Sequence, residues 1–307
     1  MLFSWSERTK EVVVSAYDMN HGNSIKSLKL LDGSVIGVPN LDTNYEEADH
    51  RLALHAINAT KDGFKRLVII SQDTDVLILF LHHLVYLSSF GNKELWITAG
   101  VGDTSRYIPV HTLAAELGET LCQILPAIHT LTGCDYTSKF GTKAAALKAN
   151  PEQFIKDFGN IDGNIENQVT MAEQYLVKVK KKCSSCKTCD QLRNYIYHHS
   201  KCSDLPPTSH EITLHIRRAL YATHIMKTAI LSPPKNIDPT LYGYEIEDDL
   251  LVPQTGRNPI PENLTITCRC SKCATERCPC KYNQVACCSF CKCRSDLCNN
   301  ECKNLFY

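Results

Sequence analysis

The hydrophobic pattern has one clear centre. Residues 66–80 read Arg-Leu-Val-Ile-Ile-Ser-Gln-Asp-Thr-Asp-Val-Leu-Ile-Leu-Phe, and positions 67–70 are unbroken apolar residues rich in β-branching. Such a run predicts a strand buried on both faces, as in a parallel sheet. The rest of the pattern is arranged around it. A strand is expected at 11–16, and Gly33, Gly37 and Pro39 mark turns. A helix follows at about 45–59, closed by Asp62-Gly63, then the central strand, then a helix at 74–88. Strands at 95–98 and 106–110 and helices at 111–117 and 119–132 complete the series. This alternation predicts an α/β domain over 1–150, a mainly parallel sheet flanked by helices. Apolar residues at three- and four-residue spacing make 151–231 a helical extension. Pro, Gly and acidic residues mark 232–264 as a linker. Residues 265–302 form a small, irregular, Cys-rich domain.

Composition narrows the classes. The 33 basic and 33 acidic residues cancel, so no global field attracts nucleic acid and any such contact must come from local patches. No apolar run reaches the length of a membrane span, because the stretch after Val76 is broken by His82 and His83. Residues 1–8 lack the basic start and apolar core of a signal peptide. Of 17 cysteines, only Cys122 and Cys134 precede residue 180. Dense clusters of this kind in an intracellular chain point to metal rather than disulfides.

Asp73 and Asp75 follow the central strand, where α/β folds place their ligands. Two carboxylates so close attract a hard cation; the plainer expectation is a helix N-cap and a first-turn acid. Two further acidic elements flank the pair, Glu46-Glu47-Ala48-Asp49 and Thr132-Gly133-Cys134-Asp135-Tyr136. In this order, over residues 44–150, they resemble the flap endonuclease/XPG-type branch of the PIN-like nucleases. The resemblance implies Mg²⁺ or Mn²⁺ held by Glu47, Asp49, Asp73, Asp75 and Asp135, and phosphodiester cleavage by a metal-bound water. It has departures. Asp49 stands where the family has Glu, Asp18 stands for a second strand-end acid, and nothing stands for the first, so the domain reads as truncated at its N-terminus. Gly141-Thr142-Lys143-Ala144 resembles a reduced form of the family's DNA-gripping helix pair, with Lys139 and Lys143 as phosphate contacts. The alternative is a tight turn with two solvated lysines. His50, His55, His82 and His83 read as ordinary residues of their helices rather than ligands.

The tail runs Cys268-x-Cys270-x-x-Cys273, Cys278-x-Cys280, Cys287-Cys288, Cys291-x-Cys293 and Cys298. It resembles the Tesmin/TSO1-like CXC family. That implies structural zinc on Cys268, Cys270, Cys273, Cys278, Cys280, Cys287, Cys291, Cys293 and Cys298, some sulfurs bridging. It also implies DNA contact by Arg269, Lys272, Arg277, Lys281 and Arg294, or else docking to chromatin proteins. Arg277 stands where some members have a DNA-reading Tyr. Cys183, Cys186 and Cys189 with Cys202 are a candidate for one more zinc site. As a whole the chain resembles invertebrate proteins, related to mobile elements, that join a PIN-like region to a CXC tail. The reading is a nuclear protein that binds DNA, with RNA as a second possibility and no membrane partner. Alternatives are a catalytically inactive scaffold and a HAD-type phosphatase with Asp73 as nucleophile.

Overall fold

The structure is a computed structural model. It describes residues 12–18, 23–43, 48–100, 102–199, 205–231, 237–256, 267–284, 287, 291–293, 298 and 300. The chain divides into two compact units, 1–254 and 255–307.

The first unit opens with an antiparallel meander, β1 (Val12–Asp18), β2 (Asn23–Leu31) and β3 (Ser34–Gly37). Asp32 and Gly33 both take positive φ, 49° and 79°, in the tight turn that joins β2 to β3. The turn is expected from the sequence; the strands on either side of it are not. Asp18 therefore ends a meander strand, opposite Asn23.

Next come α1 (Ala48–Lys61), β4 (Arg66–Ile70), α2 (Thr74–Ser89), β5 (Glu94–Ala99), β6 (Arg106–Pro109), α3 (Val110–Leu117) and α4 (Glu119–Thr132). These elements were expected, but their sheet was not. Only β4 and β5 pair in parallel; β5 and β6 are antiparallel. The α2 crossover permits the first arrangement. The short link after β5 holds one 3-10 turn, Gly102–Thr104, so the chain can only double back. The mainly parallel sheet is thus corrected to a small mixed one. The double-sided burial of the central strand is corrected as well. Leu67 and Ile69 point into the core, while Val68 and Ile70 are 50% and 80% exposed. Helices α1 to α4 pack on the inward face, around Val76, Phe80, Leu95, Ile97 and Val110.

The second half of the unit is helical: α5 (Lys143–Leu147), α6 (Pro151–Ile155), α7 (Ile165–Lys180), α8 (Cys189–His199) and α9 (Ser209–Thr228). Helix α4, buried along most of its length, belongs to both halves, and its Ile124, Ala127, Ile128 and Leu131 join the core of α7 and α9. Residues 237–256, expected as linker, instead form a 3-10 turn and the hairpin β7 (Tyr244–Glu247) and β8 (Leu250–Pro253). Arg218 of α9 holds this hairpin by donating to the Gly243 and Gln254 carbonyls.

Among the described residues of the second unit the one regular element is α10 (Pro279–Tyr282), and the buried interior they form consists of cysteines. Among the described residues no helix is long and apolar enough to cross a membrane.

Candidate acidic site and cysteine cluster

The acidic site is built at the start of two helices and the end of a third. Gln72 locks the end of β4 to Gly100, donating to its carbonyl at 2.9 Å and accepting its N–H at 2.8 Å. Asp73 is the N-cap of α2 and accepts the Asp75 N–H at 2.8 Å, the plainer of its two expected roles. Asp75 follows in the first turn of α2, half-buried. Asp49, near the start of α1, is half-buried too, while Asp135 lies exposed in the turn after α4. Asp49, Asp75 and Asp135 line one cavity of about 20 Å³ with His50, Cys134 and Tyr136. That is room for roughly one water-sized occupant. Asp73 does not line it, and Glu47 lies outside the described residues.

The turn that carries Asp135 is held over the end of α4. Gly133 adopts φ +119°, and Phe140 donates its N–H to the Thr132 carbonyl at 2.9 Å. The Thr137 hydroxyl donates to the Thr130 carbonyl. Behind the turn is a larger recess of about 480 Å³, lined by Thr132, Gly133, Cys134, Thr137, Lys139 and Lys143 among others.

A contact that the motifs do not reveal joins the two cavities. His129, 3% exposed, meets Asp75 Oδ1 with its Nε2 at 2.7 Å. On the other side of the ring, Lys143 Nζ lies 2.5 Å from Nδ1. An ammonium only donates, so Nδ1 accepts and the ring proton sits on Nε2, close to the carboxylate but without a well-directed hydrogen bond to it. Burial pushes the Asp75 carboxyl up. Contact with His129 and its electrostatic pull, then Lys143 and Asp73, outweigh burial and hold it below its ordinary value. Lys143 is shifted down, by burial against the pull of Asp75 and Cys134. Lys143 thus contacts the imidazole and the Gly133 carbonyl at 3.3 Å while remaining exposed, as Lys139 is. His129 has a faint sequence signal: it is a polar residue in an otherwise apolar stretch, one turn before the Gly-x-Asp-Tyr motif.

His50, His82 and His83 are buried in the same unit. Burial pushes them down, to about 4, 3 and 4 respectively. Burial pushes the Cys134 thiol up, so it has no thiolate character with which to attack.

In the second unit the sulfurs converge. Cys268 Sγ lies 3.5 Å from Cys273 and 3.7 Å from Cys287, and Cys280 lies 3.5 Å from Cys291. Three four-sulfur groups, each within 4.8 Å, share members: Cys268/Cys273/Cys287/Cys293, Cys268/Cys278/Cys280/Cys287 and Cys268/Cys270/Cys273/Cys278. Cys268 belongs to all three. Cys298 packs against the same cluster. Burial first, then neighbouring sulfurs, push the Cys273, Cys280 and Cys293 thiols up. A bound cation reverses that preference by coordinating the thiolates. All-sulfur sets sharing corners fit zinc by donor chemistry. The acidic cavity fits a hard cation less well. Among the described residues, no three carboxylate or imidazole groups come within 4.8 Å of one another, and Asp75 is already engaged.

Arg269, Lys272, Arg277 and Lys281 are exposed on the second unit, with Lys281 also donating to the Ala274 carbonyl. Arg294 and Cys202 lie outside the described residues. No family model, curated protein or solved structure matches the chain.

Proposed function

We propose that this chain is a nucleic-acid-binding protein whose C-terminal unit folds around thiolate-bridged zinc and contacts DNA phosphates through Arg269, Lys272, Arg277, Lys281 and Arg294. The supporting observation is the overlap of three sulfur groups on Cys268 beside exposed basic side chains. So small a unit with a core of cysteines derives its stability from metal. The first unit is a PIN-like relative that acts as scaffold. Its Asp75 is committed to His129, with Lys143 behind, rather than open to a pair of cations.

A second reading adds chemistry: Mg²⁺- or Mn²⁺-dependent phosphodiester cleavage at Asp49, Asp75 and Asp135, with Glu47 and Asp73. The cavity those three aspartates share favours it. When bound, a divalent cation would supply an activated water and charge neutralisation.

The test uses the full zinc-loaded chain. Native mass spectrometry should find zinc bound to the chain. Cys268→Ser should lose more zinc than Cys270→Ser, because Cys268 belongs to every candidate sulfur group. Binding to duplex DNA, followed by fluorescence anisotropy against salt, should weaken in Arg277→Ala, with the log–log slope reduced by about 0.9. Absence of zinc, or binding that Arg277→Ala leaves unchanged, would remove the proposal. Cleavage of flapped DNA in Mg²⁺ or Mn²⁺, lost in Asp75→Asn, would instead establish the second reading.

A further inference from the structure

We propose that Cys183 and Cys186 form a reversible thiol–disulfide site on the first unit, with Cys183 as the attacking sulfur. The two residues lie in the loop between α7 and α8 and are joined as a disulfide, with Cα atoms 5.6 Å apart. Both are half-buried and within reach of a small reagent. Their surroundings are asymmetric. The Cys186 N–H donates to Cys183 Sγ at 3.2 Å, and the Ser185 hydroxyl lies 3.3 Å from the same sulfur. On reduction, both donors face a thiolate at Cys183. Lys181 and Lys182 immediately precede the pair in sequence, and nearby positive charge favours a thiolate.

The third nearby cysteine is set apart. Cys189 is fully buried, out of reach of a reagent in solvent. Among the described residues, no further cysteine, histidine or carboxylate joins the pair in a group compact enough for a metal. The loop is pinned at its far end. The Cys189 N–H donates to Glu173 at 2.8 Å, Ser209 donates to the same carboxylate at 2.6 Å, and Lys187 donates to Gln191 at 2.8 Å. Opening and closing the bond therefore involves four residues and no helix.

The chemistry is thiol–disulfide exchange with a low-molecular-weight disulfide such as oxidised glutathione. The Cys183 thiolate attacks one sulfur of the reagent. Its S–S bond breaks, and the departing thiolate takes the bonding electron pair and a solvent proton. Cys186, having given up its own proton, attacks the mixed disulfide at Cys183 and expels the second thiol. The protein loses two protons and two electrons, which the reagent disulfide takes up in becoming two thiols.

Trypsin releases Cys183–Lys187, which contains these two cysteines and no others. The zinc-loaded chain is equilibrated in glutathione buffers of graded ratio, quenched with alkylating reagent and mapped by mass spectrometry. The peptide should change from doubly alkylated to lighter by two hydrogens relative to the free dithiol, and return on reduction. Cys186→Ser should accumulate a glutathione adduct on Cys183, while Cys183→Ser leaves Cys186 largely unmodified. The proposal is overturned if the peptide stays doubly alkylated across the range, if the adduct forms on Cys186 instead, or if bound zinc shields both thiols until it is chelated.

Discussion

At the scale of single residues, His129 is the side chain on which the acidic site turns. It is almost fully buried and touches two charged groups that are 68 positions apart in sequence, Asp75 and Lys143. Removing the ring takes a neighbour from half-buried Asp75, while exposed Lys143 keeps water and the Gly133 carbonyl. His129→Leu should therefore cost about 1–2 kcal/mol in urea unfolding; no measurable loss would mean that the chain of contacts is not holding the site together. Nothing in the motif spacing signals this link. Asp49, Asp73, Asp75 and Asp135 stand out as acids in context, whereas a histidine in an apolar helix reads as packing. Asp73 shows the reverse. The acid most expected at a metal is spent on its own helix, a local role legible from its place before Thr74.

At the scale of elements, the pattern located α1, β4, α2, β5, β6, α3 and α4 to within a few residues, because each has its own period. It misread what surrounds them. An apolar run identifies a strand but not how many of its faces are covered, and β4 has one open face. The strands β2 and β3 were missed because their apolar positions are interrupted by Lys and Ser. The turn over α4 is the element on which site geometry depends most. A Cβ at Gly133 would lie 2.8 Å from the Lys139 Cα and 3.2 Å from its N, with φ already at +119°. Both obstructing atoms are backbone, so no rotamer gives relief. Gly133→Ala should lower Tm by about 5 °C or more and raise amide exchange over 134–142. An unchanged melt would show that the turn has another accessible form.

At the scale of the whole molecule, the first unit keeps several histidines in its interior in the neutral state. His50, His82 and His83 titrate near 4, 3 and 4 when folded, against 6.5 when unfolded, with burial as the main cause. Above 6.5 both states leave them neutral. As pH falls below 6.5 the unfolded chain takes up protons that the folded one refuses, so stability is lost across the window from 6.5 to about 4. The expected loss is on the order of a few kcal/mol, read as a falling urea midpoint between pH 7 and 4.5. A midpoint that stays level over that range would show these rings to be solvated. The second unit has cysteines rather than carbon side chains at its interior, a set compatible with metal, and the clustering of those cysteines was legible in the sequence.

The sequence by itself determined the helices and strands of residues 45–132, the acids at their ends and the sulfur set of the tail, because periodicity, strand-end position and ligand spacing are all local. Only the tertiary structure decided the direction of strand pairing, the open face of β4, the packing of residues 237–254 against α9, and the meeting of His129 with Asp75 and Lys143. Each of those depends on which surfaces meet across a long loop. That is settled by the packing of the whole interior and not by any one stretch of the chain.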